Sequence, residues 1–333
     1  MVKMLIFDLK KSEREFLREF DTSDFDITYF DESLTKDTKL TVKECDETAI
    51  LSVFLTSKIT KEVLDKFKNL RLITTRSVCY HHIDINECRR RNIGVINVGD
   101  YGRSSVSQYV IGLIFALTRN IFTASEDIKK SNFDYEKYES QDIDKLSIGV
   151  IGTGSIGSAV CELAYKLGMK VNANDIIMNK DIKEFTEYMS LNDLLRKSDI
   201  VTLHIPYVKE FKYMISDKEF ALMKDGSYII NVSNSALINP FALYRAINRK
   251  KIKGAGLDVI FDQQDSMFYE NLEHSKIDEL ERIIIRDKLI HQENVIITPR
   301  IAYDTKESSE KIIRSNFNDI KDFYIGRKTN RVV

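Results

Sequence analysis

The stretch SIGVIGTGSIGSAVCELAYKLGMKVNAND, residues 147–175, decides the fold. Ser147 to Ile151 make a strand-like run, and glycines follow at 152, 154 and 157. An apolar spacing of helical period comes next, then a second short run that ends on Asp175. A G-x-G-x-x-G alone is weak, but here a strand, a helix and an acid stand in register with it. Gly152 permits the tight turn, Gly154 lets a pyrophosphate approach the backbone, and Gly157 lets helix and strand pack closely. Ser155 and Ile156 open a helix whose N-terminus attracts phosphate charge. Asp175 lies 18 residues past Gly157, close to the roughly 20-residue offset at which a carboxylate accepts hydrogen bonds from the adenosine ribose. A carboxylate there repels a 2′-phosphate, so the stretch points to NAD over NADP. Taken singly, the glycines read as a structural turn and Asp175 as a solvated strand end; the three features together outweigh that.

The same alternation continues outward. With "SIGVIG", the runs "KVNAND", "DIVTLHI", "SYIINV", "GAGLDV" and "NVIITP" make six expected strands of a parallel sheet, separated by helical segments. The first hundred residues repeat the pattern in "MLIFDL", "FDITYF", "AILSVF", "RLITTR" and "GVINVG". A chain of 333 residues is too long for one core and suits two domains with a cleft. Between the repeats, "SVSQYVIGLIFALTRNIFTA" is expected to be a connecting helix opened by a capping box of Ser105 and Gln108. The amphipathic segment 304–326 follows the last strand and would return to the first domain. The expected organisation is a discontinuous substrate domain, residues 1–100 plus 300–333, and an NAD-binding Rossmann domain, residues 101–299. The fold class is thus α/β, with two Rossmann-like parallel sheets, one flavodoxin-like and one dinucleotide-binding.

Composition narrows the partners. Lys+Arg 50 against Asp+Glu 51 leave a net charge of -1, so no strong field favours nucleic acid or an anionic membrane. Small molecules are the expected partners. The longest apolar run, "VIGLIFAL" at 110–117, is far short of the roughly 20 residues of a membrane span. The opening "MVKMLIFDLKKSEREF" reads as strand and helix and not as a secretion signal, so a cytoplasmic location is expected. Cys45, Cys79, Cys88 and Cys161 have neither metal-ligand nor disulfide spacing.

Six stretches carry a family resemblance: "TTRSVCYHHIDI" (74–85), "GVIGTGSIGS" (149–158), "LHIPYVKEFKYMI" (203–215), "MKDGSYIINVSNSALIN" (223–239), "GAGLDV" (254–259) and "NVIITPRIAYDT" (294–305). In order and spacing the chain resembles the D-isomer-specific 2-hydroxyacid dehydrogenases, above all the D-lactate dehydrogenase branch that includes the vancomycin-resistance enzymes. The resemblance implies a homodimer of two-domain subunits with NAD in the cleft, and reduction of 2-oxo acids to D-2-hydroxy acids. Beside the glycine turn and Asp175 it implies cofactor contacts from Ile205, Pro206, Val232, Ser233, Asn234 and Asp258. It also implies a substrate loop at Val78, Cys79, Tyr80 and His81, with Tyr101 near the substrate.

The departures fall on the chemistry. Where the family has its substrate-gripping arginine this chain has Asn234; the family's glutamate falls at Gln263, and its histidine at Arg300. The substrate loop has Cys79 for a glycine, and Arg103 stands where a proline is usual. Asn234 offers only neutral hydrogen bonds, roughly half as strong each as those of a guanidinium on a carboxylate. A guanidinium, with a pKa above about 12, stabilises an oxyanion but supplies no proton. The favoured expectation is an NAD-binding relative impaired or inactive in 2-oxo acid reduction. The alternative is an active oxidoreductase with a rebuilt site, in which Arg300 grips the substrate and His204 or His81 acts as the acid. "LHIP" ends a strand at the rim where such sheets bind ligands, although His204 also reads as a structural histidine beside the nicotinamide. His81 and His82 read otherwise as an exposed loop pair, and Arg103 as either a surface charge or an anion ligand. An ordinary dehydrogenase shifted by one residue is opposed by the neighbours, since no Arg, Glu or His adjoins the three positions.

Overall fold

Runs of Val, Ile and Leu that alternation marks as strands are buried on both faces, as parallel sheets covered by helices require. The computed structural model describes residues 1–259, 276–327 and 331–333. It contains two compact units, Met1–Tyr101 with Thr305–Val333, and Gly102–Asp304.

The first unit alternates β1 (Val2–Ile6), α1 (Lys11–Leu17), β2 (Phe25–Tyr29), α2 (Val42–Glu47), β3 (Thr48–Val53), α3 (Lys61–Leu64), β4 (Leu72–Thr75), α4 (Ile85–Arg90) and β5 (Gly94–Asn97). The strands pair in parallel in the order β2-β1-β3-β4-β5, the flavodoxin-like arrangement.

The second unit contains α5 (Arg103–Thr118), α6 (Ile121–Lys129), β6 (Ser147–Ile151), α7 (Ser155–Lys166), β7 (Lys170–Asn174), β8 (Thr186–Tyr188), α8 (Leu191–Lys197), β9 (Ile200–Leu203), α9 (Asp217–Leu222), β10 (Ser227–Asn231), α10 (Pro240–Asn248), β11 (Ile252–Leu257), α11 (Lys276–Ile290) and β12 (Val295–Ile297). The parallel order β12-β11-β10-β9-β6-β7-β8 reverses between β6 and β9, and ligands bind at such a switch point, outside the carboxyl ends of the strands. One face of the sheet is covered by Val110, Leu113 and Leu117 of α5 with Val160 of α7, the other by Leu194 of α8 and Leu243 of α10. Among the described residues the sheet has seven strands and not the expected six. The seventh, β8, is a three-residue edge strand beside β7, too short to show alternation.

Helix α5 corrects a second expectation. It begins at Arg103 with Gly102 as N-cap, and Gln108 Nε2 donates to Ser104 Oγ at 2.9 Å. Ser105 already lies inside the first turn, buried, so no capping box forms there. The helix α12 (Lys306–Tyr324) returns to the first unit. Its Ile313, Phe317 and Ile320 pack with Met4, Ile6, Ile50 and Leu72. The seams fall after Tyr101 and Asp304 and not after 100 and 299. Residues 300–304 stay with the second unit because Ile301 N and Ala302 N each donate to the Asp258 carboxylate at 2.9 Å.

Candidate functional site

The glycine turn sits at the switch point of the second sheet. Gly152 has φ +92, donates its N–H to Asn174 O at 2.8 Å, and a Cβ there would lie 2.7 Å from His204 O. A Cβ on Gly157 would lie 1.8 Å from Gly152 O, so these two glycines are required by backbone packed on backbone. Gly154 differs. Its φ of -66 suits any residue, and a Cβ there would meet no heavy atom within 4 Å. Its missing side chain leaves open space beside the first turn of α7, where Ser155, Ile156 and Gly157 present N–H groups that the helix cannot satisfy internally. A cradle of this kind fits the pyrophosphate of NAD.

Asp175, at the end of β7, is tied to that turn. Its carboxylate accepts from Thr153 N at 2.5 Å, Thr153 Oγ1 at 3.1 Å and Ile177 N at 3.1 Å. Burial pushes the carboxyl pKa up, but these hydrogen bonds outweigh it and hold the group below its ordinary value. Tyr188 Oη donates to Thr153 Oγ1 at 2.9 Å, and Asn179 Nδ2 donates to Thr153 O at 3.3 Å. Thr153, 2% exposed, is thus the hub of the turn. Motif reading passes over it because it occupies a variable position of the G-x-G pattern, and nothing in sequence pairs Tyr188 with it. Beyond Asp175, Ile176, Ile177 and Met178 are exposed.

Two further loops leave the same edge. After β9, His204 N donates to Ile151 O at 2.7 Å, and its ring nitrogen Nε2 lies 2.9 Å from Thr202 Oγ1. His204 is half-buried, and loss of water pushes its imidazole down to about 3, so the ring is neutral near pH 7. Ile205 O accepts from Ser233 Oγ, which links the loop running into Pro206 to Val232–Ser233 after β10. Asn234 caps a 3₁₀ turn, Ser235–Leu237, by accepting from Ala236 N at 2.9 Å. Asn231 Nδ2 donates to Asn234 O at 2.7 Å, and Asn231 Oδ1 accepts from Ser233 N at 3.0 Å. The asparagines thus hold the loop in shape.

Asp258, 2% exposed at the end of β11, accepts from Thr298 Oγ1 at 2.6 Å as well as from Ile301 N and Ala302 N. Burial raises its pKa against those hydrogen bonds. In that pinned loop Arg300 has φ +58. Gln263 lies outside the described residues.

The expected substrate loop belongs to the first unit. Val78 and Tyr80 are exposed; Val78 O accepts from Asn97 Nδ2 at 2.8 Å, and Cys79 O from Ser77 Oγ at 2.5 Å. Tyr101 O accepts from Ser308 Oγ at 3.1 Å. His81 and His82 are no exposed pair. His82 is 2% exposed, with Nε2 3.2 Å from Thr75 Oγ1; its carbonyl accepts from Ile59 N at 2.8 Å, and Ile59 and the adjoining Ile83 both enter the core. His81, half-buried, meets it edge to face at 6.0 Å.

Residues 111–302, more than half the chain, match the model of the D-isomer specific 2-hydroxyacid dehydrogenase NAD binding domain. The chain belongs to that dehydrogenase family. An aromatic 2-oxoacid reductase of Clostridium sporogenes is 32% identical over 276 residues, 82% of each chain. A D-lactate dehydrogenase of Lactiplantibacillus plantarum is 27% identical over 330 residues, 97% of this chain and 96% of that one. Among solved structures, D-lactate dehydrogenase from Aquifex aeolicus complexed with NAD and lactic acid superposes with a TM-score of 0.82 at 33% identity, covering 97% of this chain and 96% of that one. The family's NAD-binding domain spans the glycine turn, Asp175, His204, Asn234, Asp258 and Arg300.

Proposed function

We propose that this dehydrogenase-family chain binds NAD at the glycine turn, is of the D-lactate dehydrogenase type, and is impaired or inactive in reducing 2-oxo acids. Asn234, Gln263 and Arg300 occupy the positions where the family carries its arginine, glutamate and histidine. Bound NADH would supply the hydride. The protein would have to neutralise the developing carbonyl oxyanion and give it a proton, and a donor works best with a pKa near the working pH. One observation carries the reading: of the three residues assigned to the chemistry at that edge and described, Asn234, His204 and Arg300, none is a proton donor matched to neutral pH. Arg300 keeps its charge, Asn234 is neutral, and His204 is held neutral with its pKa near 3. Lost general-acid help costs about 10²- to 10⁴-fold in rate.

The rival reading is an active oxidoreductase in which Arg300 grips a substrate carboxylate and His204 or His81 is the acid. The left-handed backbone of Arg300 supports it, since a non-glycine residue keeps such a conformation only where its surroundings impose it. The neutral state of His204 weakens it.

The same proposal makes the protein a cytoplasmic homodimer with a small 2-oxo or 2-hydroxy acid as ligand. Exposed Ile121, Phe122 and Ile128 on α6 support association. No described helix is long and apolar enough to cross a membrane.

Titration of NADH by fluorescence, followed by NADH oxidation with a panel of 2-oxo acids, tests the proposal. The expected result is saturable NADH binding with turnover far below the ordinary enzymatic level of about 10 s⁻¹. Turnover near that level with any 2-oxo acid overturns it.

A further inference from the structure

Arg103 plays no part in the chemistry above, and its half-exposed side chain is tied to a neighbouring helix. From the first position of α5 its guanidinium crosses to α7. Nη1 donates to Ser155 O at 2.8 Å and to Ser158 Oγ at 2.9 Å, and Nη2 donates to Glu162 Oε1 at 2.8 Å. All three acceptors belong to one helix. Two lie in the first turn after Gly154 and the third about one turn further along.

The placement works against α5 itself, because a cation at a helix N-terminus opposes the helix dipole. The stabilisation it brings must therefore be sought on α7. The Arg103–Glu162 pair is exposed by 41% and 37%, and exposed ion pairs contribute little to folding. What a planar fork does well is fix geometry. By holding a carbonyl, a hydroxyl and a carboxylate of α7 at once, Arg103 sets how the first turn of α7 sits against the start of α5. Gly102 is the neighbouring point of contact, where a Cβ would lie 3.8 Å from Ile156 Cδ1. That first turn is the one whose N–H groups face the Gly154 cradle.

We propose that Arg103 is a positioning residue for the pyrophosphate-binding turn, holding the N–H groups of Ser155, Ile156 and Gly157 in register with the dinucleotide. The inference rests on the reading that NAD binds at this turn. It also resolves the choice between a surface charge and a direct anion ligand: Arg103 acts through α7.

The test is NADH titration by fluorescence at low and at physiological salt, with the thermal midpoint recorded for each protein. Arg103→Gln, which keeps a donor but loses the charge and the fork, is expected to weaken NADH about tenfold, with the midpoint moving by no more than about 2 °C. Arg103→Lys is expected to recover less than half of that loss, since an ammonium supplies charge without the planar fork. Glu162→Gln, which keeps an acceptor for Nη2, is expected to stay within about twofold of the parent. NADH binding within twofold of the parent in Arg103→Gln overturns the proposal. So does full recovery in Arg103→Lys, which would mean that charge and not geometry matters. A loss of affinity that only tracks a falling midpoint assigns Arg103 to folding and overturns it too. If the parent protein fails to bind NADH while remaining folded, the cofactor reading falls and takes this one with it.

Discussion

After β6 the chain passes through Gly152 and Gly154 into a twelve-residue α-helix that holds Gly157 in its first turn; after β10, in the same sheet, it passes through Ser233 and Asn234 into a three-residue 3₁₀ turn. In the first loop the side chains are absent or turned inward. Gly154 faces open space, and Thr153 satisfies its own carboxylate and tyrosine neighbours. The open space at Gly154 adjoins the first turn of α7. In the second loop Asn231 and Asn234 use their amides on the loop's own backbone. An arginine in place of Asn234 could not cap Ala236 N, because a guanidinium has no acceptor. The asparagine therefore stabilises the loop itself. One edge of one sheet thus carries a glycine turn with open space beside a helix N-terminus and an asparagine loop closed on its own backbone.

The sharpest way to break that contrast is to install together the residues that the proposed function assigns to the family at these positions, with Asn234→Arg, Gln263→Glu and Arg300→His. Histidine tolerates the left-handed backbone at 300 better than most residues. Pyruvate and aromatic 2-oxo acid reduction, followed as NADH oxidation, should rise by about 10²- to 10⁴-fold. An unchanged rate would place the deficit elsewhere, first of all in the loop around Cys79.

The glycine turn allows a paired test with a somewhat smaller effect. In Gly157→Ala the new methyl would lie 1.8 Å from Gly152 O, and neither backbone can rotate away. Urea unfolding should show a loss of about 3 kcal/mol, together with loss of NADH binding. Gly154→Ala meets nothing within 4 Å at a φ of -66, so stability should hold or rise by about 0.5 kcal/mol while NADH binding drops. Equal destabilisation in both variants would mean that Gly154 serves packing and that the open cradle is no ligand site.

Much of the fold was legible because both sheets are parallel and buried on both faces. Such strands are buried at every residue and hold no charged side chain, as in "LITT" and "SIGVI". What escaped reading has a common cause: hydrogen bonds between side chains distant in sequence leave no period. Thr153, Tyr188 and Asn179 are joined across 35 residues, β8 is only three residues long, and His82 is buried by its neighbours and not by its own character. Ser105 and Gln108 matched a capping pattern, but the N-cap of α5 is Gly102, three residues earlier. The spacing was right for a cap, and the backbone had already entered the helix.

The smallest effect concerns His204, and it bears on the choice between an idle and a rebuilt centre. Loss of water lowers its pKa from the ordinary 6.5 to about 3, so the folded chain prefers the neutral ring. The sign follows from linkage: below about 6.5 the unfolded chain takes up a proton at this position that the folded chain refuses until about 3. The stabilisation by neutral His204 is complete above pH 6.5 and declines steadily as the pH falls towards 3. His204→Gln, which can still accept a hydrogen bond from Thr202, should flatten that part of the stability profile and leave NADH binding between pH 6.5 and 8 almost unchanged. The imidazole proton resonances, followed by NMR from pH 4 to 8, should show no midpoint for this residue above 5. A midpoint between 6 and 7, particularly one that appears only with NADH bound, would give the site a usable acid and revive the rebuilt centre around Arg300.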